Sequence, residues 1–319
     1  MKYFALAFAL VAVMSCNTKN AVNSKTLSQS DENLLEKNNI SNIVSSQHVS
    51  IFNTKSNLES LKIYIKGLDS TKISTIPLAL DYIKTCISPE LVSKDTVYNE
   101  FLFEFYSVAN GLSDVFESKY PQLVRDLNEN KSTPEIEAFI DNIGQAGLEL
   151  CMTEGMYYFD VTYDYFYNNF KDRVSPSLLE YLSIRKDELK QGFSEDAGML
   201  IGFEDLYQRV KRWEDFLAKY PTSLKSEEAN YFYQTYLETL LTGMDNSRTF
   251  NFENNTLIPE VKSIYERVMQ EDSISNSGRV ITAYYKFLSK HSFVYNDSIN
   301  VFLETFGLSS MLGIQPHTR

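Results

Sequence analysis

The densest set of side chains able to do chemistry lies between Glu154 and Phe170 (EGMYYFDVTYDYFYNNF). There Tyr157, Tyr158, Phe159, Tyr163, Tyr165, Phe166, Tyr167 and Phe170 put eight aromatic rings within fourteen residues. Read as a helix, the spacing places Glu154, Tyr158, Val161 and Tyr165 on one face and Asp160, Tyr163, Asp164 and Tyr167 on another. Ring faces interleaved with carboxylates suit a groove for a sugar or a peptide, which makes Glu154, Tyr158, Asp160, Tyr163, Asp164 and Tyr167 the candidate binding residues. The simpler account of the same residues is a central helix sandwiched between two layers, its hydroxyls satisfied at the edges. If the carboxylates act on a substrate instead, Glu154 with Asp160 or Asp164 is the pair for a hydrolase or transferase. That chemistry requires a deep pocket in which burial raises one of the two.

Other reactive constellations are scarce. The only histidines are His48, His291 and His317, too dispersed for a triad or a multi-histidine metal site. There is no H-E-x-x-H, no G-x-S-x-G and no glycine-rich phosphate loop. The expectation is therefore a protein without a cofactor or resident metal, binding rather than catalysing. The segment Thr242-Gly243-Met244-Asp245-Asn246-Ser247 offers oxygens to a calcium ion, but an Asx-type turn explains it with fewer demands. Besides Cys16, only Cys86 and Cys151 are present, either bridged in an oxidising compartment or buried as small apolar groups.

The elements that must position these groups read as helices. Residues 57–66, 76–87 and 96–109 are amphipathic. Thr133-Pro134-Glu135 is a start signal, with Thr as N-cap, Pro where a missing N–H costs nothing, and an acid against the helix dipole. Ile136, Phe139, Ile140, Ile143 and Leu150 mark its buried face, and Ser175-Pro176 opens another helix in the same way. The longest stripe is expected from Ser194 as N-cap to Tyr220, through Leu200, Phe203, Tyr207, Val210, Trp213 and Leu217. Glu204, Arg209, Lys211, Arg212 and Glu214 are expected on its solvated face. Pro221 ends it, and a following helix from about Leu224 stops at Gly243 as a left-handed cap. Further helices open at Pro259, near Ser277 and at Asp297.

Composition agrees. Only 12 Gly and 8 Pro in 319 residues fit long helices with few turns, and 21 Tyr with 21 Phe can build a core by ring packing. The fold class expected is all-α: an array of antiparallel helical hairpins, irregular tetratricopeptide-like or helical-bundle in architecture. The net charge of −12 argues against nucleic acid and against docking on anionic lipid heads.

The chain begins MKYFALAFALVAVMSC: a positive Lys2, ten apolar-run residues from Phe4 to Val13, then Ser15-Cys16. A run that short does not span a hydrocarbon core, which takes about 20 residues. Residues 1–15 read as a removable export signal, residues 16–46, rich in Asn, Ser and Lys, as a flexible tether, and residues 47–319 as the helical domain, with a subdomain division near 172. Val13-Met14-Ser15-Cys16 resembles the lipobox of bacterial lipoproteins, although Met14 is an uncommon occupant of its position. The resemblance implies a diacylglycerol on the Cys16 thiol, signal cleavage before it, and a stable anchor once several acyl chains are buried. Lys19, where surface-exported lipoproteins resemble one another in an acidic run, leaves the periplasmic face of the outer membrane as the expected address.

Trp213 to Phe232 (WEDFLAKYPTSLKSEEANYF) resembles the helix-turn-helix junction of tetratricopeptide-type envelope proteins, with Phe216, Tyr220, Pro221, Ser223 and Ala229 in its positions. Phe116 to Pro121 (FESKYP) echoes it a hundred residues earlier, a spacing unlike the 34-residue repeat. The chain as a whole looks most like uncharacterised helical envelope lipoproteins, which implies a membrane partner through the anchor and an envelope protein, peptide or glycan as ligand. The resemblance supplies no function.

Overall fold

The computed structural model describes residues 58–87, 94–153 and 155–308. Among them the chain is mostly helical, with twelve helices and only short antiparallel strand pairs. No described helix is long and apolar enough to cross a membrane. Contacts divide the chain into two compact units at Leu182 and Ser183.

The N-terminal unit contains α1 (Leu58–Lys66), α2 (Thr75–Cys86), α3 (Lys94–Lys119), α4 (Pro121–Asn128), α5 (Pro134–Gln145), the hairpin of β1 (Leu148–Thr153) and β2 (Met156–Val161), and α6 (Tyr163–Phe170). Helix α7 (Pro176–Gln191) runs across the division. Helix α3 supplies the core, burying Tyr98, Phe101, Phe105, Leu112 and Phe116 at three-, four- and seven-residue steps. Phe105 meets Phe166 of α6 edge to face at 4.7 Å, and Tyr98 meets Phe166 and Phe170 at 5.6 Å each. Phe116 takes Phe159 of β2 at 5.2 Å. The expected starts are in place. Thr133 Oγ1 accepts the Ile136 amide at 3.3 Å ahead of α5, and Ser175 Oγ accepts the Leu178 amide at 3.2 Å ahead of α7.

The stretch expected as one helix from Glu154 to Phe170 is instead strand β2 followed by α6. Gly155, at φ 80°, reverses the chain, and the aromatic, β-branched run Met156–Val161 fits a half-buried strand. Leu148 pairs with Val161 and Leu150 with Phe159, so these point toward α3, while Glu149, Asp160, Cys151 and Tyr158 lie on the opposite face. Leu150 therefore belongs to β1 and not to the face of α5. Cys86 holds a free thiol and does not bridge to Cys151.

The C-terminal unit contains β3 (Ser194–Glu195), β4 (Gly198–Met199), α8 (Phe203–Lys219), α9 (Ser226–Thr242), β5 (Gly243–Met244), β6 (Ser247–Arg248), α10 (Pro259–Glu271), α11 (Asn276–Lys290) and α12 (Ser298–Glu304). Helices α8 and α9 form one hairpin, with Trp213 stacked on Phe232 at 5.1 Å, and α10 and α11 another, with Tyr265 against Tyr284 at 6.0 Å. The long helix starts at Phe203, not Ser194. Asp196 and Ala197 at φ 47° and 55° fold residues 194–199 into a tight hairpin, leaving Leu200 exposed.

Gly243 does end α9, but at φ 78° and ψ −165° it is not the left-handed cap expected; it opens β5, where a Cβ would collide with the backbone of Ser247 and Arg248. The Thr242–Ser247 segment is thus a hairpin corner. It is laced to the first hairpin by Asn246 N donating to Ala197 O at 2.9 Å and Met199 N donating to Ser247 Oγ at 2.8 Å.

Candidate functional site

Cys16, the lipidation candidate, and Glu154 of the aromatic stretch lie outside the described residues. Tyr158 and Asp160 share the face of β2 turned away from α3, and the cross-strand partner of Asp160 is Glu149. Burial and the Asp160 charge push the Glu149 carboxyl above its ordinary range. Tyr163 is only 3% exposed and its hydroxyl lies 3.3 Å from that of Tyr106, so it is a core residue. Asp164 and Tyr167, half-buried on α6, follow on the next element. The five described candidates therefore do not form the two helical faces expected; a strand and a helix divide them. Tyr157 points toward the core and donates to Asn128 Oδ1 at 3.1 Å. His291 is exposed and His48 and His317 are outside the described residues. Among the described residues no three His, Cys, Asp or Glu side chains converge as metal ligands.

Of the residues expected on the solvated face of α8, Arg212 is exposed and Glu204 and Lys211 are half-buried, but Arg209 and Glu214 are not at the surface. Arg209 is 3% exposed and Glu214 8%, each the centre of a buried network in the C-terminal unit. In the first, Glu188, 2% exposed, accepts from Trp213 Nε1 at 2.8 Å, Tyr236 OH at 2.9 Å and Arg185 NH1 at 3.2 Å. Arg209 donates to Gln191 Oε1 at 3.0 Å, to Glu188 O at 3.3 Å and to Gly192 O. These acceptors stand at the C-terminal end of α7, where unpaired carbonyls and the helix dipole favour a cation. Arg185 also covers the Phe232 ring at 4.0 Å. Burial there is bearable because the charges are paired and hydrogen-bonded. The sequence signal existed: Arg209 is three residues past Leu206 and four before Trp213, inside the buried stripe.

In the second network Glu214 reaches the first turn of α11. Its Oε1 accepts Ser277 N at 3.0 Å and its Oε2 accepts Ser277 Oγ at 2.7 Å and Lys211 Nζ at 2.8 Å. Lys211 also bridges to Asp272 Oδ2 at 2.8 Å. Burial works to raise the Glu214 carboxyl, yet the bonds from Lys211 and Ser277 prevail and hold it below the usual range. Burial likewise opposes, and Lys211 and Ser275 outweigh it, to hold Asp272 low. Only glycine fits at 278, because a Cβ would collide with the Asp272 carbonyl.

Beside Glu214 opens a cleft of about 350 Å3. Glu214, Leu217 and Ala218 come from one face of α8, with Pro221 just past its end. Asn230 and Tyr233, one turn apart on α9, and Asn276, the first residue of α11, complete it. Burial and the Glu214 charge push the Tyr233 phenol well above its usual range, so it stays a protonated donor. The side chains of Asn230, Tyr233 and Asn276 make no hydrogen bond with the other described residues. Glu214, by contrast, is held by three bonds and is a fixed charge, not a proton shuttle. The local chemistry is an apolar wall, an anionic end and three polar groups with capacity to spare.

Compared with known protein families, curated proteins and solved structures, the chain matches none.

Proposed function

We propose that this protein is a lipid-anchored envelope lipoprotein, tethered through Cys16 and residues 16–46 after loss of residues 1–15, on the periplasmic face of the outer membrane. Its helical body acts as a non-enzymatic scaffold that binds a protein segment, peptide or glycan. The observation that carries the binding half is the cleft of the C-terminal unit, where three unspent hydrogen-bonding side chains stand over an aliphatic wall.

Two experiments test the reading. Radiolabelled palmitate should enter the native protein and not a Cys16→Ala form; labelling that survives the substitution contradicts the anchor. Envelope ligand captured by the native protein should be lost in an Asn230→Ala/Tyr233→Phe double variant of unchanged melting temperature; equal capture removes the cleft from the account.

One observation favours a second reading, a carboxylate-based hydrolase or transferase. Glu149 and Asp160 face each other across the strand pair, and Glu149 is pushed up, as a general acid requires. Hydrolysis of envelope glycan or peptide substrates that disappears in both Glu149→Gln and Asp160→Asn would establish it. Activity unchanged in both would end it.

A further inference from the structure

We infer that the cleft between α8, α9 and the start of α11 takes an extended peptide carrying a lysine or arginine, a conclusion that rests on the cleft being the binding site proposed above. Three features of the cleft point to that class. First, Asn230 and Asn276 each present one acceptor oxygen and an N–H donor pair, the complement of a peptide unit's own N–H and C=O, and Tyr233 adds a further donor. Second, Leu217, Ala218 and Pro221 form an aliphatic wall that suits an apolar side chain, whereas a sugar would call for broad ring faces, and Tyr233 is the single ring of the lining.

Third, the charge at the Glu214 end is negative. Glu214 and Asp272 are held ionised around one ammonium, Lys211, which leaves the three a net formal charge of −1, and Glu214 Oε1 accepts a single bond. An incoming ammonium or guanidinium meets the surplus charge and the open oxygen, while an acidic side chain is repelled. The volume, at the low end of ligand pockets, limits the bound segment to a few residues.

Calorimetric titration of the full chain with three probes tests this: Ac-Ala-Lys-Leu-Ala-NH2, Ac-Ala-Glu-Leu-Ala-NH2 and N,N′-diacetylchitobiose. The lysine peptide should bind at least tenfold more tightly than the glutamate peptide and than the disaccharide. Asn230→Ala and Tyr233→Phe, at half-buried or exposed positions, should each weaken it about fivefold or more with no change in melting temperature. If the glutamate peptide or the disaccharide binds as tightly, and the same variants abolish it, the ligand class is wrong and the cleft stands. Should none of the three bind, both the ligand class and the cleft as a binding site fall.

Discussion

The two units end a helix with the same code and fill their cores by opposite means. Phe116-x-x-Lys119-Tyr120-Pro121 and Phe216-x-x-Lys219-Tyr220-Pro221 stop α3 and α8 alike: the tyrosine sits at φ −127°, ψ 51° in one and φ −131°, ψ 59° in the other. Phe and Tyr rings pair at 5.8 and 5.3 Å, and the lysine covers the tyrosine at 5.5 and 5.0 Å. Behind this shared end, the N-terminal unit packs Tyr98, Phe101, Phe105, Phe166 and Phe170 ring on ring. The C-terminal unit surrounds Arg185, Glu188 and Arg209 with Trp213 and Tyr236. A local stop signal is thus portable, whereas the content of the buried face is particular to each unit. An apolar core loses contact area when truncated; an ionic one is left with an unpaired charge.

That contrast predicts similar penalties by different routes. Glu188→Ala strands Arg185, the Trp213 indole N–H and the Tyr236 hydroxyl, and should cost the C-terminal unit about 3–5 kcal/mol. Trp213 is the chain's single tryptophan, so its fluorescence reports that unit in a urea titration. Phe166→Ala should cost the N-terminal unit about 3–5 kcal/mol through its cavity. It should lower the far-UV circular dichroism midpoint and leave the Trp213 midpoint in place. A common shift in both probes for either variant would dissolve the distinction between the units.

The units should also respond to pH in opposite senses. Glu214 and Asp272 are held low when folded, so their stabilisation is present above the unfolded values near 4.5 and 3.8 and is lost as pH falls below them. Burial instead pushes Glu104, in α3, up to about 7. A raised carboxyl leaves stability full below pH 4.5 and drains it as pH climbs toward 7, because the unfolded chain releases the proton first. Acidification from pH 7 to 5 should therefore stabilise the N-terminal unit, and acidification from pH 5 to 3 should weaken the C-terminal one. Glu104→Gln should flatten the first of these trends in thermal melts.

Smaller effects sharpen the picture. Thr133→Ala, removing the cap of α5, should cost about 1 kcal/mol, seen only in the circular dichroism transition. Lys119→Met and Lys219→Met should each cost about 0.5 kcal/mol, near-equal losses that mark the shared helix end.

Helix class, most starts and the stop at Pro221 were legible because caps and prolines act within a few residues. The β1–β2 hairpin was not: eight closely spaced rings satisfy a helical period and a strand alternation alike, and the turn at Gly155 decides between them. Arg209 and Glu214 were misplaced because charge alone suggests solvent, whereas their partners, the carbonyls ending α7 and the amide of Ser277, are distant in sequence. The cleft was illegible for the same reason. Its wall lies within the single stretch from Glu214 to Pro221, but Asn276 reaches it only through the fold.

The claim that the C-terminal unit, not the outer face of the hairpin, carries the binding site is tested most directly by hydrogen–deuterium exchange of the full chain with and without Ac-Ala-Lys-Leu-Ala-NH2. Protection gained at residues 214–221, 226–233 and 276–278, with none across 148–161, is the predicted result. Protection confined to 148–161 and the helix that follows, where Tyr158, Asp160, Asp164 and Tyr167 lie, would contradict it.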